Sequence, residues 1–112
     1  MTVPDPRTAF TLEGVQETPD GAGSVREAWV ALGIVWGELR GGNGNEGLQG
    51  EVGVARSNYS ILVRGAPHGA PSRPTVRQRL RRGSRVFRVV SVTEADPAGR
   101  FLVCRVVEEQ TA

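Results

Sequence analysis

The last third of the chain decides the fold: Arg85-Val-Phe-Arg-Val-Val-Ser-Val-Thr93 and Arg100-Phe-Leu-Val-Cys-Arg-Val-Val107 flank Glu94-Ala-Asp-Pro-Ala-Gly99. The two flanking segments are rich in β-branched and aromatic residues, which are typical of strands. The segment between them contains the Asp, Pro and Gly residues that tight turns need. We therefore predict a β-hairpin that forms the C-terminal half of the core.

The rest of the chain repeats this pattern of short apolar runs separated by turn residues. Strands are predicted over residues 8–17, 25–32, 34–39, 58–64 and, as a short one, 76–80. A turn at 18–23 makes a hairpin of the first two runs, and Gly33 separates the second from the third. The Pro-rich residues 65–74 are predicted to form an extended surface linker. The pattern favours an all-β fold, a small antiparallel β-barrel or sandwich with one long Gly-rich loop and room for a short helix.

The chain has 112 residues, 38% of them hydrophobic and 23% charged, which suits one globular domain over 1–112. Residues 1–8 are predicted to be an N-terminal arm and residues 108–112 a C-terminal tail. Fifteen Gly and seven Pro residues argue against a helical bundle.

No apolar run reaches the length of about 18 residues that a membrane helix needs, and no signal peptide is recognisable. We therefore expect no membrane contact and production in the cytoplasm.

Residues 41–57 interrupt the alternation, because they contain six glycines and few apolar side chains. Such a long connection is more often functional or mobile than accidental. Within it, residues 42–47 match the glycine spacing of a dinucleotide-binding loop. However, no amphipathic helix follows, and position 64 holds an arginine where that motif needs an acid. The segment is therefore interpreted as a flexible loop, and no cofactor is expected.

Nothing in the sequence indicates catalysis or metal binding. His68 lies in the Pro-rich linker, and Cys104 is surrounded by apolar residues typical of a core. One cysteine and one histidine are too few for an ordinary zinc site or an internal disulfide. We predict a protein that is not an enzyme and has neither a catalytic residue nor a metal site.

Charge is distributed unevenly, and every basic residue is an arginine. Residues 1–63 hold four arginines and eight acids, whereas residues 64–112 hold ten arginines and four acids. The densest basic group comprises Arg77, Arg79, Arg81, Arg82, Arg85 and Arg88. It can meet an acidic protein surface, contact nucleic-acid phosphates or form a solvated face. Because only Phe87 is near enough to stack on bases, we favour a protein interface, and we expect reversal of Arg79 and Arg81 to glutamate to leave the fold intact.

Several short motifs occur in a recognisable order: Asp-Gly-Ala-Gly at 20–23, Arg-Glu-Ala-Trp at 26–29, Val-Trp-Gly-Glu-Leu at 35–39, Arg-Gly-Ser-Arg-Val-Phe-Arg-Val at 82–89 and Leu-Val-Cys-Arg at 102–105. Together they resemble the small phage head–tail joining proteins, the head-completion or stopper family, over about residues 9–108. The stretch Ala-Pro-His-Gly-Ala-Pro-Ser-Arg-Pro at 66–74 looks closest to the versions in gene transfer agents, phage-derived particles that carry host DNA.

The resemblance implies a structural subunit of a virion or phage-like particle that is assembled in the bacterial cytoplasm. Such a subunit forms a ring, with six copies favoured over twelve, below the portal and adaptor proteins and above the tail terminator or tail tube proteins. Double-stranded DNA passes through this ring or is held above it. The family's candidate channel-closing element maps onto Gly41, Gly42, Asn43, Gly44, Asn45, Glu46, Gly47, Leu48, Gln49, Gly50 and Glu51.

The alternative is a free-standing nucleic-acid-binding barrel of the SH3 or OB kind, which would bind DNA or RNA through residues 77–88. In either case the clearest strands predict a core, which contains Trp29, Trp36, Phe87, Val89, Phe101 and Val103. Since that core uses most of the large apolar side chains, we expect the isolated chain to be a weakly associating monomer.

Overall fold

The computed structural model describes residues 4–41 and 57–109, and the elements in these ranges are all β-strands. In chain order they are β1 (Thr8–Pro19), β2 (Val25–Gly41), β3 (Ser57–Arg64), β4 (Arg79–Arg82), β5 (Arg85–Glu94) and β6 (Phe101–Glu109). Neighbouring strands are antiparallel, and the sheet closes on itself in the order β1-β2-β3-β6-β5-β4. The prediction of an all-β fold is confirmed, and the architecture is a closed barrel.

The C-terminal hairpin of β5 and β6 has the predicted position: β5 continues one residue further, to Glu94, and β6 begins one residue later and ends two residues later, at Glu109. Its turn is held by Asp96, whose carbonyl accepts from the Gly99 amide at 3.0 Å and whose side chain accepts from the Arg100 amide at 2.9 Å. Gly99 has a φ of 69°, which a residue without Cβ adopts at no steric cost. The turn composition thus determined the hairpin, as the sequence indicated.

β2 is one continuous strand, so the prediction of two strands separated at Gly33 is wrong. Gly33 pairs with Leu12 of β1, and the next pair joins Ala31 to Glu13. Leu32 is therefore an extra residue, a β-bulge that bends the strand without ending it. A glycine in a strand is as compatible with a bulge as with a break.

β4 begins three residues later than predicted. A turn occupies the preceding residues, where the Gln78 amide donates to the Thr75 carbonyl at 3.0 Å and the Gln78 side chain accepts from the Thr75 amide at 2.9 Å. The strand that follows pairs Leu80 with Leu12 on one side and with Phe87 on the other. β4 thereby closes the barrel between β1 and β5.

The core fills the inside of the barrel with alternate residues of all six strands. Its buried members are Phe10, Leu12, Val35, Ile61, Val63, Leu80, Phe87, Val89, Leu102, Cys104 and Val106. The rings of Phe10 and Tyr59 meet Phe87 edge to face at centroid distances of 6.1 and 5.7 Å. Phe87 is thus the centre of the aromatic packing.

Four residues of the predicted core lie outside the buried cluster. Trp29 and Trp36 are 39% and 53% exposed, so the prediction that they are core residues is wrong. Phe87 and Val89 are buried as predicted, whereas Phe101 and Val103 are half-buried. On β2 the inward positions belong to Val35 and Gly37, and a Cβ on Gly37 would lie 2.9 Å from a methyl carbon of Ile61. Strand alternation therefore turns Trp36 to the outside.

The segments outside the sheet are attached to the barrel. The Asp5 amide donates to Glu38 of β2 at 2.6 Å, which places the described part of the predicted N-terminal arm against the sheet. The predicted linker starts with the Gly65 amide donating to the Arg100 carbonyl at 2.7 Å. Arg73, a buried residue, donates to the Ala66 carbonyl at 2.8 Å. The linker is consequently attached to the barrel at Gly65 and held together by Arg73, while residues 67–69 are exposed, as expected of a surface segment.

Candidate interaction surfaces

The outer face of β1 and β4 carries a compact group of charges. Because Leu80 points into the barrel, its neighbours Arg79 and Arg81 point outward, as does Glu13 on the adjoining strand. Glu13 accepts from Arg79 Nε at 2.6 Å and from Arg81 Nε at 3.0 Å. The side chains of Glu13 and Arg79 are only 12% and 13% exposed. One carboxylate therefore holds two of the six arginines that the sequence grouped together.

Two opposing effects determine the pKa of Glu13. Burial raises it, but the hydrogen bonds and positive charges of Arg79 and Arg81 outweigh burial, and the net pKa lies below its ordinary value. Glu13 is thus ionised at neutral pH and forms charge-assisted hydrogen bonds with both guanidinium groups.

Arg79 also connects this group to Trp29. Its guanidinium carbon lies 4.1 Å from the centroid of the Trp29 ring, a cation–π contact, and Arg79 Nη1 is 3.8 Å from Glu109. Trp29 belongs to the exposed part of β2, whereas Arg79 belongs to the barrel. We call Glu13, Arg79, Arg81 and Trp29 the brace, because these side chains join the barrel to the hairpin that extends from it.

Arg85 is engaged at the other end of β4 and β5. Its guanidinium donates to both carboxylate oxygens of Glu108 at 2.8 and 3.0 Å, and its carbon lies 4.9 Å from the Phe87 ring and 5.6 Å from the Tyr59 ring. The hydrogen bond from Arg85, opposed by a smaller effect of burial, lowers the pKa of Glu108. The contacts of Arg85 thus lie within the barrel, and its guanidinium is already paired.

The remaining predicted interface residues are more accessible. Arg88 approaches Glu109 at 3.7 Å and is 49% exposed. Arg77 and Arg82 are exposed and form no ion pair with any described residue. The structure therefore divides the six predicted interface arginines. Arg79, Arg81 and Arg85 are engaged by acidic side chains of the same molecule, whereas Arg77 and Arg82 are exposed to solvent. The acidic partners Glu13 and Glu108 were missed from the sequence, because they lie 66 and 23 residues from their arginines.

The predicted channel-closing loop, Gly41 to Glu51, is described only at its first residue. Gly41 is the last residue of β2 and pairs with Tyr59 of β3. Positions 42–51 of the predicted element lie outside the described residues, so that interpretation stays a prediction.

A hairpin arm extends from the barrel. We define it as residues 14–31, in which every residue from 15 to 29 is exposed. Its turn is closed by the side chain of Asp20, which accepts from the amides of Ala22 and Ser24 at 2.8 and 3.1 Å. Gly21 and Gly23 adopt φ values of 84° and 88° there. The arm contributes to an elongated molecule of 54 × 38 × 24 Å.

The strands of the arm have free outer edges. β1 pairs with β4 only through Thr11, Leu12 and Glu13, and β2 pairs with β3 only from Gly37 onward. Residues 14–19 of β1 and 25–36 of β2 consequently have no second neighbour strand among the described residues. Large exposed apolar side chains accumulate on β2, namely Val25, Trp29, Leu32, Ile34 and Trp36. This accumulation contradicts the expectation that the core would use most large apolar side chains.

A crevice of about 660 Å³ borders the arm beside β1. Gly14 and Val15 of the arm line one side, and Val76 and Arg77 line the other. Trp29 and Leu32 also line it, so the crevice beside the β1 edge is partly apolar.

The residues weighed for chemistry have ordinary surroundings. His68 is exposed in the linker. Cys104 is fully buried, and burial raises the pKa of its thiol to about 12. Within 4–41 and 57–109 no three His, Cys, Asp or Glu side chains come together in a way that could hold a metal ion. The same residues form no helix that is long and apolar enough to cross a bilayer.

Comparison with known proteins relates this barrel to virion components. A chain in the virion of a native gene transfer agent particle superposes with a TM-score of 0.78 at 38% identity, covering 100% of both chains. A protein of Shigella flexneri 2a, known from its solution structure, shares the fold with a TM-score of 0.73 at 18% identity, again over 100% of both chains. No curated protein matches the sequence. The sequence model of the phage head completion proteins matches residues 1–109, and the chain therefore belongs to this family of structural proteins, which is not a family of enzymes.

Proposed function

We propose that this protein is a stopper subunit of a head–tail connector. Copies of it form a ring, of six rather than twelve, below the portal and adaptor proteins of a virion or phage-like particle that is assembled in the bacterial cytoplasm. The ring helps to retain packaged double-stranded DNA and offers a docking surface to the tail terminator or tail tube proteins. Gly41 to Glu51 lie at the channel and close it.

One observation carries the proposal: the whole chain shares fold and 38% of its residues with a chain of a gene transfer agent virion. The geometry supports a role in assembly. The closed barrel is a rigid body. The arm exposes apolar side chains, which do not stabilise an isolated monomer and are typical of a surface that binds another protein. Arg77 and Arg82 remain open to an acidic protein surface, where charge sets registration and encounter rate.

The nucleic-acid-binding alternative loses part of its basis in the structure. Glu13 and Glu108 pair with Arg79, Arg81 and Arg85, so fewer guanidinium groups are available to bind phosphates than the sequence suggested. A salt titration of duplex DNA binding separates the two functions. Sub-micromolar affinity near physiological salt, falling steeply as salt rises, would favour the alternative over a stopper.

The stopper proposal is tested in cells that produce the particles. Deletion of this chain should give heads without tails whose DNA is lost or becomes sensitive to nuclease. Restoring the wild-type chain should recover both properties. Tailed particles that retain their DNA in its absence would overturn the proposal.

A separate variant tests whether the loop from Gly41 to Glu51 closes the channel. Replacement of residues 42–51 by a short Gly-Ser segment should leave the chain in the particle and the tail attached, but DNA should leak. Replacement of the exposed arm turn, residues 20–24, by another hairpin turn serves as the matched control and should retain DNA. Retention of DNA by the shortened loop would remove the gating role from Gly41 to Glu51 and leave the ring proposal standing.

A further inference from the structure

Within residues 4–41 and 57–109 no strand pairs with either outer edge of the hairpin arm, which leaves two free strand edges, one on each side. The edge of β1 spans residues 14–19 and borders the crevice; the edge of β2 spans residues 25–31 in the arm and continues along the barrel to Trp36. Each free edge presents backbone N–H and C=O groups that a further strand can satisfy. The arm is thus a two-stranded sheet that can be extended in both directions.

The β2 edge lacks most of the devices that keep exposed edges from pairing. Such edges usually carry inward-pointing charges, prolines or several bulges. Here the segment from 25 to 36 has one bulge at Leu32 and two charges, Arg26 and Glu27, and the other large side chains along it are apolar. Ile34 and Trp36 are each more than half exposed. A strand with these features is expected to be covered in the working protein.

The arrangement of the two edges favours a second copy of this chain as the cover. β1 and β2 run in opposite directions, so when two copies stand side by side in the same orientation, β2 of one copy is antiparallel to β1 of the next. Antiparallel neighbours form a regular ladder. The contact joins two different patches, and a repeated contact of this kind closes into a ring when the rotation per subunit allows it. A two-fold pairing of β2 with β2 would leave the β1 edge and the crevice empty.

We infer that the hairpin arms of neighbouring subunits pair edge to edge, the β2 edge of one copy with the β1 edge of the next, and that these arms form a continuous β-sheet around the ring. The inference rests on the proposed ring and adds which surfaces make it. The apolar side chains of β2 then pack on the neighbouring arm, and the crevice beside Arg77 receives the edge of the adjacent strand.

Paired cysteines test this arrangement in assembled particles. Glu17 and Ala31 lie on the same face of the arm as Glu13, Glu17 near the centre of the β1 edge and Ala31 near the centre of the β2 edge. Within one hairpin Glu17 lies opposite Glu27, so Ala31 is displaced by four residues, about 13 Å, too far for an internal disulfide. The native Cys104 is fully buried and does not interfere. Oxidised particles that carry Glu17→Cys with Ala31→Cys should show a ladder of covalent multimers.

The two single variants are the matched controls, since head-to-tail pairing gives neither of them a partner thiol. Dimers from Ala31→Cys alone would show two-fold pairing and overturn the inference. A second double variant combines Glu17→Cys with Ile34→Cys. If both double variants are present in the particles and neither forms multimers, the inference is overturned while the stopper function stands. Absence of the wild-type chain from purified particles would overturn both.

An apolar contact on the free edge should also be sensitive to charge. Ile34→Lys places an ammonium group on the β2 edge, and Val90→Lys makes the same change at a similarly exposed apolar residue of β5. Both should fold with unchanged thermal midpoints. We expect Ile34→Lys to abolish the ladder and Val90→Lys to retain it; an unchanged ladder in Ile34→Lys would contradict the inference.

Discussion

The barrel and the hairpin arm are built from the same two strands, yet they differ completely in burial. Phe10, Leu12 and Val35 point into the barrel and are nearly inaccessible, whereas every residue from 15 to 29 is exposed. Composition does not explain the difference, since the arm contains Val15, Val25 and Trp29. Position does: Phe10, Leu12 and Val35 face the barrel interior and pack with side chains of β3, β4, β5 and β6, whereas in the arm β1 has only β2 beside it among the described residues. Stability therefore resides in the barrel, and the arm has surface left for other proteins.

The largest difference should appear when one aromatic residue inside the barrel and one on the exposed side of β2 are each truncated. Phe87→Ala removes a fully buried ring that packs on Phe10 and Tyr59, and should lower the free energy of unfolding by about 3–5 kcal/mol. Trp36→Ala removes a half-exposed ring and should cost less than about 1 kcal/mol. Urea denaturation of both variants measures the difference. Equal losses would contradict the assignment of Trp36 to the surface.

The brace connects the two regions, so its removal should have an intermediate effect. Glu13→Gln keeps the shape of the side chain but takes the charge from between Arg79 and Arg81, and should cost about 1–3 kcal/mol. Glu17→Gln, on the same face of β1 but fully in the arm, is the matched control and should change stability by less than about 0.5 kcal/mol. If the two variants unfold at the same denaturant concentration, the charge of Glu13 contributes nothing to stability.

The brace also predicts how stability depends on pH. The pKa of Glu13 is lower in the folded protein than its ordinary value of 4.5, so the unfolded chain binds the proton more tightly. The stabilisation is complete above that ordinary value and is lost as the pH falls through the lowered one. Urea midpoints measured between about pH 6 and about pH 3 should therefore fall less in Glu13→Gln than in the wild type. Parallel curves would show that other carboxylates, such as Glu108, dominate the acid response.

The sequence predicted what local patterns determine and missed what distant contacts determine. The hairpin of β5 and β6 was correct, because its turn residues and alternation lie within one segment. Trp36 was assigned to the core because alternation shows which residues share a face but not which face is inside; that depends on Ile61 and Val63, which fill the space opposite Gly37. The row of arginines was visible, but its partner Glu13 lies far away in the chain. Only the folded barrel shows which arginines are already occupied.

The smallest expected effect on stability concerns the arginines that remain open. The sequence alone predicted that reversal of Arg79 and Arg81 to glutamate would leave the fold intact. The structure changes this expectation, because both pair with Glu13 and the double reversal would bring three carboxylates together. Arg77→Glu with Arg82→Glu is the better probe of the docking surface. Both residues are exposed and without an ion pair to any described residue, so the free energy of unfolding should change by less than about 0.5 kcal/mol.

If these two guanidinium groups meet acidic side chains of a neighbouring connector protein, the folded double variant should still enter particles but give fewer tailed ones. Arg77→Gln with Arg82→Gln removes the charge without reversing it, and should reduce tail attachment less than the reversal does, because repulsion is absent. Counting tailed particles by electron microscopy, beside urea denaturation of each purified variant, separates assembly from stability. Normal tail attachment in the reversed variant would assign Arg77 and Arg82 to a solvated face. The barrel would then serve only as the rigid support of the arm.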